Sequence, residues 1–274
     1  MSRLGGNTAD DSAFALRNLP FVGSLALVYL FLWGPTVLVI YIAFGQSAST
    51  TLPVREFSLR WFRVLAADSG IISALVNSLT VSAASAVIAT TVGLVTSLAL
   101  RDQFRGWKLL NFLSIAPLLM TRVVMGIALL IFFSAIGFPL GFWAVAVALG
   151  TLSAAYSTLI ISGRLSEFDR SIEEAAVDLG ASRFETLARI TLPIIKPAIF
   201  SSLLVSFTAA FDELIIALFV QGFQFQVLPV AIFGRLRFKV TPEINAVAAV
   251  MTAFALVIML LTYRIEKASD TGGI

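Results

Sequence analysis

The sequence predicts an all-α, polytopic membrane protein with about six transmembrane helices, and three observations predict it. Of the 274 residues, 58% are hydrophobic and only 13% charged, about half the ~25% charged share of a soluble domain. With a mean hydropathy of +0.95, the chain has too few charges to cover a water-facing surface. Six apolar stretches, at 21–44, 71–100, 109–136, 142–162, 198–220 and 244–262, match the roughly 20 residues a helix needs to cross hydrocarbon. Finally, the alternating segments of about ten residues that a barrel would require are absent.

Taken in order, residues 1–18 read as a polar cytoplasmic tail containing Gly5-Gly6, residues 19–267 as one membrane domain and 268–274 as a second tail. The first stretch is too long for a signal-peptide core and lacks a small-residue cleavage site after it, so it reads as a retained helix. Gly34-Pro35 is expected to bend it. Between 45 and 70, Phe57, Trp61, Phe62 and Leu65 recur at helical spacing around Arg60 and Arg63. That pattern predicts an amphipathic interfacial helix with Trp61 at headgroup level. The second stretch carries ten Ser, Thr and Asn side chains together with Gly93, a composition that lets helices approach closely and bond across the contact. Pro117 is expected to kink the third, and residues 137–141 to form a tight turn before the fourth. No internal repeat, inverted symmetry or dividing linker is visible.

Basic residues set the expected topology. With both termini cytoplasmic, 12 of the 19 Lys and Arg fall on the cytoplasmic side, six outside, and Arg122 within the membrane, as the positive-inside rule favours. The net charge of +3 then needs no nucleic acid to explain it. The lack of Cys and His removes disulfides, thiol nucleophiles, imidazole bases and the usual zinc sites, so neither catalytic residues nor a metal site are expected.

The most patterned segment is the cytoplasmic connection at 163–197. Ser171 and Glu174 have capping-box spacing, and so do Ser182 and Glu185. Ile172, Ala175, Ala176 and Leu179 form an i, i+3, i+4, i+7 stripe. Gly180 stands where a left-handed residue ends a helix, and Pro193 is expected to stop the second helix. Patterning leaves two readings open: a pair of helices resting on headgroups, or a rigid knuckle that docks another protein.

Glu174-Ala175-Ala176, Gly180, Ile190 and Leu192-Pro193 reproduce the spacing EAA-x3-G-x9-I-x-LP, which resembles the EAA loop of binding-protein-dependent ABC-importer permeases. The resemblance extends over about 57–263 and is strongest to the second permease subunit of spermidine/putrescine importers. It is carried by Asn77-Ser78-Leu79-Thr80, Gly141-Phe142-Trp143, Asp178 to Ser182, Ser206-Phe207-Thr208, Leu228-Pro229 and Pro242 to Ala246. It implies a type I ABC importer permease fold in a bacterial inner membrane. The implied partners are a sister permease, two ATP-binding subunits and a periplasmic substrate-binding protein. It also implies that Glu174, Ala175, Ala176, Gly180, Ala181 and Ser182 couple the chain to the ATPase. ATP and Mg would sit on that partner, since this sequence has no G-x-x-x-x-G-K-[ST] loop and no cofactor of its own is expected.

Ionisable residues inside spans are costly unless paired or facing water. Asp212 and Glu213, in the fifth stretch, read either as a cation site on a translocation path or as packing carboxylates met by a partner. Arg122 departs from the resemblance, because polyamine permeases tend to place an acidic residue there. It either pairs with Asp212 or Glu213, or reads the carboxylate of a zwitterionic, amino-acid or opine-like substrate. Asn77 and Trp61 are further pathway candidates, and Arg235, Arg237 and Lys239 are candidates for docking a binding protein. A secondary transporter would also fit intramembrane charges, but it has no need of the EAA pattern.

Overall fold

A computed structural model describes residues 8–46, 53–102, 104–238 and 242–271. Its helices are α1 (Thr8–Ala43), α2 (Arg60–Ala67), α3 (Ser69–Arg101), α4 (Trp107–Leu119), α5 (Arg122–Ala135), α6 (Phe142–Glu167), α7 (Ser171–Asp178), α8 (Arg183–Thr186), α9 (Leu192–Phe211), α10 (Ile215–Val220), α11 (Leu228–Phe238) and α12 (Pro242–Thr271). A π-helical turn, Leu187–Thr191, joins α8 to α9. Among the described residues the only extended pairing is an isolated antiparallel bridge between Gly45 and Phe57. Among the described residues five helical segments are long and apolar enough to cross a membrane, or six where the bent pair α4 and α5 is taken as one broken span.

The chain forms two compact units. The first comprises Met1–Leu65 and Thr241–Val250. Within it α1 continues without interruption through Gly34-Pro35, and helix begins at Thr8 where the sequence suggested a loose tail. Gly5-Gly6 lies outside the described residues. Leu27, Leu30, Phe31 and Leu32 of α1 are exposed, an apolar surface of the kind lipid accommodates. The interfacial helix is shorter than the hydrophobic spacing predicts. Phe57 is held extended by the bridge, with Gln46 N–H donating to Glu56 and Ser58 N–H to Phe44, so helix starts only at Arg60. Trp61 is the buried residue of α2, at 7% exposure.

The second unit comprises Ala66–Val240 and Met251–Ile274, and its centre is the packing of α3, α6 and α9. Small and hydroxylated residues make that approach possible. A Cβ on Gly93 would lie 2.4 Å from the Ser157 Cβ and 2.9 Å from backbone atoms of Ser157 and Thr158, so α3 and α6 touch almost backbone to backbone. Ser97 donates to the Thr158 carbonyl at 3.1 Å, Ser162 to Ser97 at 3.0 Å, and the Ser157 and Ser206 hydroxyls bond at 2.8 Å. Between helices in lipid, this close van der Waals contact and hydroxyl bonding replaces the hydrophobic drive of a soluble core. Leu149, Leu152, Ile216 and Val220 fill the remaining core. Phe211 and Phe254, with rings 4.9 Å apart, bring α12 against α9.

Three expectations about the spans are corrected. The third stretch does not kink at Pro117, which lies inside α4. The chain breaks three residues later, where Met120 and Thr121 are extended, with ψ of 144° and 141°, and α5 leaves at 110° to α4. The fifth stretch is not one helix, since α9 ends at Phe211 and α10 starts at Ile215. Asp212 and Glu213 therefore occupy a break. Nor does Pro193 stop a helix. The π turn, in which Leu192 N–H bonds to the Leu187 carbonyl, opens the ladder ahead of the proline, whose missing N–H costs nothing in the first turn of α9.

Candidate functional site

The two breaks meet. Arg122 is the first residue of α5, and its Nη1 pairs with Glu213 Oε2. The other oxygen, Glu213 Oε1, accepts the backbone N–H groups of Ile215 at 3.1 Å and Ile216 at 3.2 Å. One carboxylate thus satisfies the start of α10 and offsets a cation that would otherwise sit unfavourably at a helix N-terminus. Glu213 is 4% exposed, whereas Arg122 is 44% exposed, so the pair is sealed on the carboxylate side and open on the other.

Beside the pair lies a cavity of about 760 Å3, lined among others by Arg122, Tyr156, Thr208, Asp212, Glu213, Ile258 and Thr262. Asp212 is exposed to it, ending α9 with its backbone N–H bonded to the Thr208 carbonyl at 3.2 Å. The Thr208 and Thr262 hydroxyls donate to Leu204 and Ile258 of their own helices at 2.9 and 3.0 Å. Their protons are spent, and only oxygen lone pairs remain for a ligand. Asp212 likewise offers acceptors only. The Tyr156 ring adds a π face on which a cation can rest. The formal charge of the lining is −1, from two carboxylates and one guanidinium.

The knuckle at α7 and α8 is built by different means. α7 is not capped by Ser171, whose N–H instead donates to the Asp169 carboxylate at 2.9 Å. Arg170, at φ −65°, is already helical, which moves the cap two residues earlier, to Asp169, than the Ser171–Glu174 spacing suggests. The second box forms as expected, with Ser182 and Glu185 exchanging bonds at 3.0 and 3.2 Å. Gly180, at φ +93°, ends α7 with Ala181 N–H bonded back to the Ala176 carbonyl at 3.0 Å, a Schellman closure that favours glycine. Glu174, Ala175, Gly180 and Ser182 are exposed, and Ala176 and Ala181 partly so. Leu179 and Phe184 beside them are 91% and 77% exposed, an apolar tip with no cover in this chain.

Glu173, which sequence reasoning did not single out, fastens the knuckle. Arg101, the last residue of α3, pairs with it at 2.7 Å, and the Thr191 hydroxyl of the π turn donates to the same oxygen. Arg170 donates to the Arg101 carbonyl at 2.5 Å. Partial burial pushes the Glu173 carboxyl up, but the Arg101 and Thr191 bonds and the charges of Arg101 and Arg170 outweigh it, leaving it below its ordinary 4.5. A depressed carboxyl stabilises the fold above its unfolded value and loses that contribution as pH falls through the folded one. The fastening is therefore complete at neutral pH. Glu173→Gln is expected to reproduce at pH 7 the loosening that acid causes, read as faster tryptic cleavage at Arg170 or Arg183 than in the unaltered protein.

Residues 89–272 match the family described as binding-protein-dependent transport system inner membrane component. The chain belongs to this family. The permease is 34% identical over 260 residues to the spermidine/putrescine transport system permease protein PotC of Haemophilus influenzae, covering 94% of this chain and 99% of that protein. It is 38% identical over 268 residues to the putrescine transport system permease protein PotI of Escherichia coli, covering 92% and 95%. Its fold is that of type I ABC importer permeases. A bacterial ABC transporter involved in import of the acidic polysaccharide alginate superposes with a TM-score of 0.68 over all of both chains at 17% identity. An amino acid ABC transporter with histidines does so at 0.59, over 76% of this chain and 98% of the other, at 19%.

Asn77, Trp61, Arg235 and Arg237 are not among the residues that line the cavity. Asn77 donates to the Gln226 carbonyl at 3.0 Å and Ser78 accepts Leu228 N–H at 2.7 Å, so Asn77-Ser78 fixes the approach to α11. Trp61 belongs to the first unit, whereas the cavity is lined wholly by the second. Arg235 pairs with Asp68 at 2.7 Å, and Asp68 also caps α3 by accepting Ile71 N–H at 3.1 Å. Those two bonds hold the Asp68 carboxyl below its usual range. Arg237 lies over the Phe233 ring at 4.6 Å and is exposed. Lys239 lies outside the described residues.

Proposed function

We propose that this permease lines the path of a polyamine-type cation, of the spermidine or putrescine kind, and is driven by a separate ATPase that docks on its knuckle. The observation that carries the reading is the cavity at the two helix breaks, where Asp212 is an exposed carboxylate and two carboxylates outnumber the one guanidinium in the lining. The names of the 34% and 38% identical relatives support it. A zwitterionic substrate read by Arg122 is less well supported, because the charge of Arg122 is already met by Glu213. Basic residues favour both termini on the cytoplasmic side, which puts 168–182 where an ATPase can reach it.

Glu174, Ala175, Ala176, Gly180, Ala181 and Ser182 form the docking surface in this reading, with Leu179 and Phe184 as its apolar contacts. The partners are a sister permease that completes the path, two ATPase subunits that hold ATP and Mg, and a binding protein outside, toward which Arg237 and Lys239 are candidate contacts. Closure of the ATPases would move the knuckle, and Glu173 would pass that movement to α3 through Arg101. Gly180→Val is expected to strain the Schellman turn by about 1–2 kcal/mol and to lower uptake while leaving the ATPase subunits' own nucleotide hydrolysis in place. The assay is amine uptake against phosphate release in proteoliposomes.

The deciding experiment is ATPase stimulation of the reconstituted complex by its binding protein, loaded in turn with spermidine, putrescine and zwitterionic amino-acid derivatives. Stimulation by the amines alone supports the proposal. Stimulation by carboxylate-bearing ligands alone overturns it.

A further inference from the structure

We infer that Arg122 sets how much positive charge this half of the path accepts, by withdrawing Glu213 from the cavity and leaving Asp212 as its one available carboxylate. The inference rests on the cation-path reading above and deepens it. Glu213 spends one oxygen on Arg122 and the other on two backbone N–H groups. At 4% exposure it is shielded from an incoming ammonium. Asp212 is exposed to the same cavity, and its carboxylate has no ion-pair or hydrogen-bond partner among the described residues.

Two adjacent carboxylates would make a site of charge −2, suited to gathering two ammonium groups. With Arg122 present the lining has charge −1. One ammonium is held by Asp212, with the Thr208 and Thr262 oxygens as neutral acceptors and Tyr156 as a π face. No second carboxylate is left available in the lining for another positive group. The subunit therefore engages one end of a diamine, and the remaining charge must be balanced outside these lining residues. Arg122 is in this sense a specificity-determining residue, acting through Glu213 rather than by touching the substrate.

The test uses the full complex in proteoliposomes, with the same binding protein throughout, and measures uptake of labelled putrescine and spermidine as a ratio. Arg122→Gln frees a second carboxylate, and the spermidine-to-putrescine ratio is expected to rise on the order of tenfold. Glu213→Gln leaves Arg122 unopposed, and uptake of both amines is expected to fall, spermidine the more. The double variant Arg122→Gln with Glu213→Gln restores the lining charge to −1 and is expected to restore the original ratio, and Arg122→Lys to keep it. A purely structural pair would damage uptake of both amines alike and leave the ratio unchanged in both single variants. If Arg122→Gln does not assemble, Arg122→Lys and the double still decide the matter, since a shifted ratio in either overturns the inference. Absence of amine uptake by the unaltered complex would sink the cation-path reading itself. Amine uptake with an unchanged ratio in both single variants would sink only the role given to Arg122.

Discussion

Asp212→Asn is expected to lower polyamine uptake on the order of tenfold to a hundredfold, with basal ATP hydrolysis by the assembled complex kept. The substitution preserves volume and removes the one exposed carboxylate of the cavity. An ammonium entering this site exchanges hydration for few partners, and a full opposing charge offsets most of that loss, more strongly in a low-dielectric surrounding than in water. The Thr208 and Thr262 oxygens and the Tyr156 ring remain in Asp212→Asn, but they are neutral. Asp212→Glu keeps the charge and is expected to recover part of the uptake. Uptake by Asp212→Asn equal to that of the unaltered complex would remove Asp212 from the path and leave the cavity without a cation ligand.

The second large effect is on stability. Gly93→Val places a branched side chain where even a Cβ would come within 2.4 Å of Ser157 Cβ and 2.9 Å of backbone atoms on α6. Backbone cannot swing aside as a side-chain tip can, so α3 and α6 must separate, breaking the Ser97–Thr158 and Ser162–Ser97 bonds. Overpacking a tight contact costs about 1–3 kcal/mol, and these bonds add to it. We expect a clear fall in the melting temperature of the purified complex. Gly163→Ala is the comparison: it lies in α6 with nothing within 4 Å of an added Cβ, and removing a mid-helix glycine there is expected to be neutral or to stabilise by up to ~1 kcal/mol. Equal melting temperatures for Gly93→Val and Gly163→Ala would show that the α3–α6 approach is looser than described.

The knuckle was readable in the sequence because its signals are local. A Ser182–Glu185 box and a glycine six residues after Glu174 each concern atoms within one or two turns, and both are realised. The same locality misled at Ser171. Its spacing to Glu174 fits a cap, but Asp169 stands two residues earlier with a carboxylate able to take the same N–H. Glu173 shows the opposite limit. Its partners, Arg101 and Thr191, are 72 and 18 residues away, and no periodicity joins them.

By itself the sequence determined the membrane as solvent, the positions of the apolar spans and the form of the coupling knuckle, because apolar length and capping chemistry are properties of contiguous residues. It also placed Asp212, Glu213 and Arg122 within apolar stretches, where each needed a reason. Only the tertiary structure decided what they do. The third stretch breaks at Met120-Thr121 rather than at Pro117, the fifth, which reads as continuous, breaks at Asp212-Glu213, and the breaks come together. One carboxylate is then consumed by Arg122 and two backbone N–H groups, and its neighbour in sequence faces an open cavity. Adjacent residues with the same charge received opposite roles, because burial and partners depend on which chain segments meet, and that is fixed by the packing of α5, α9 and α10 rather than by the order of residues.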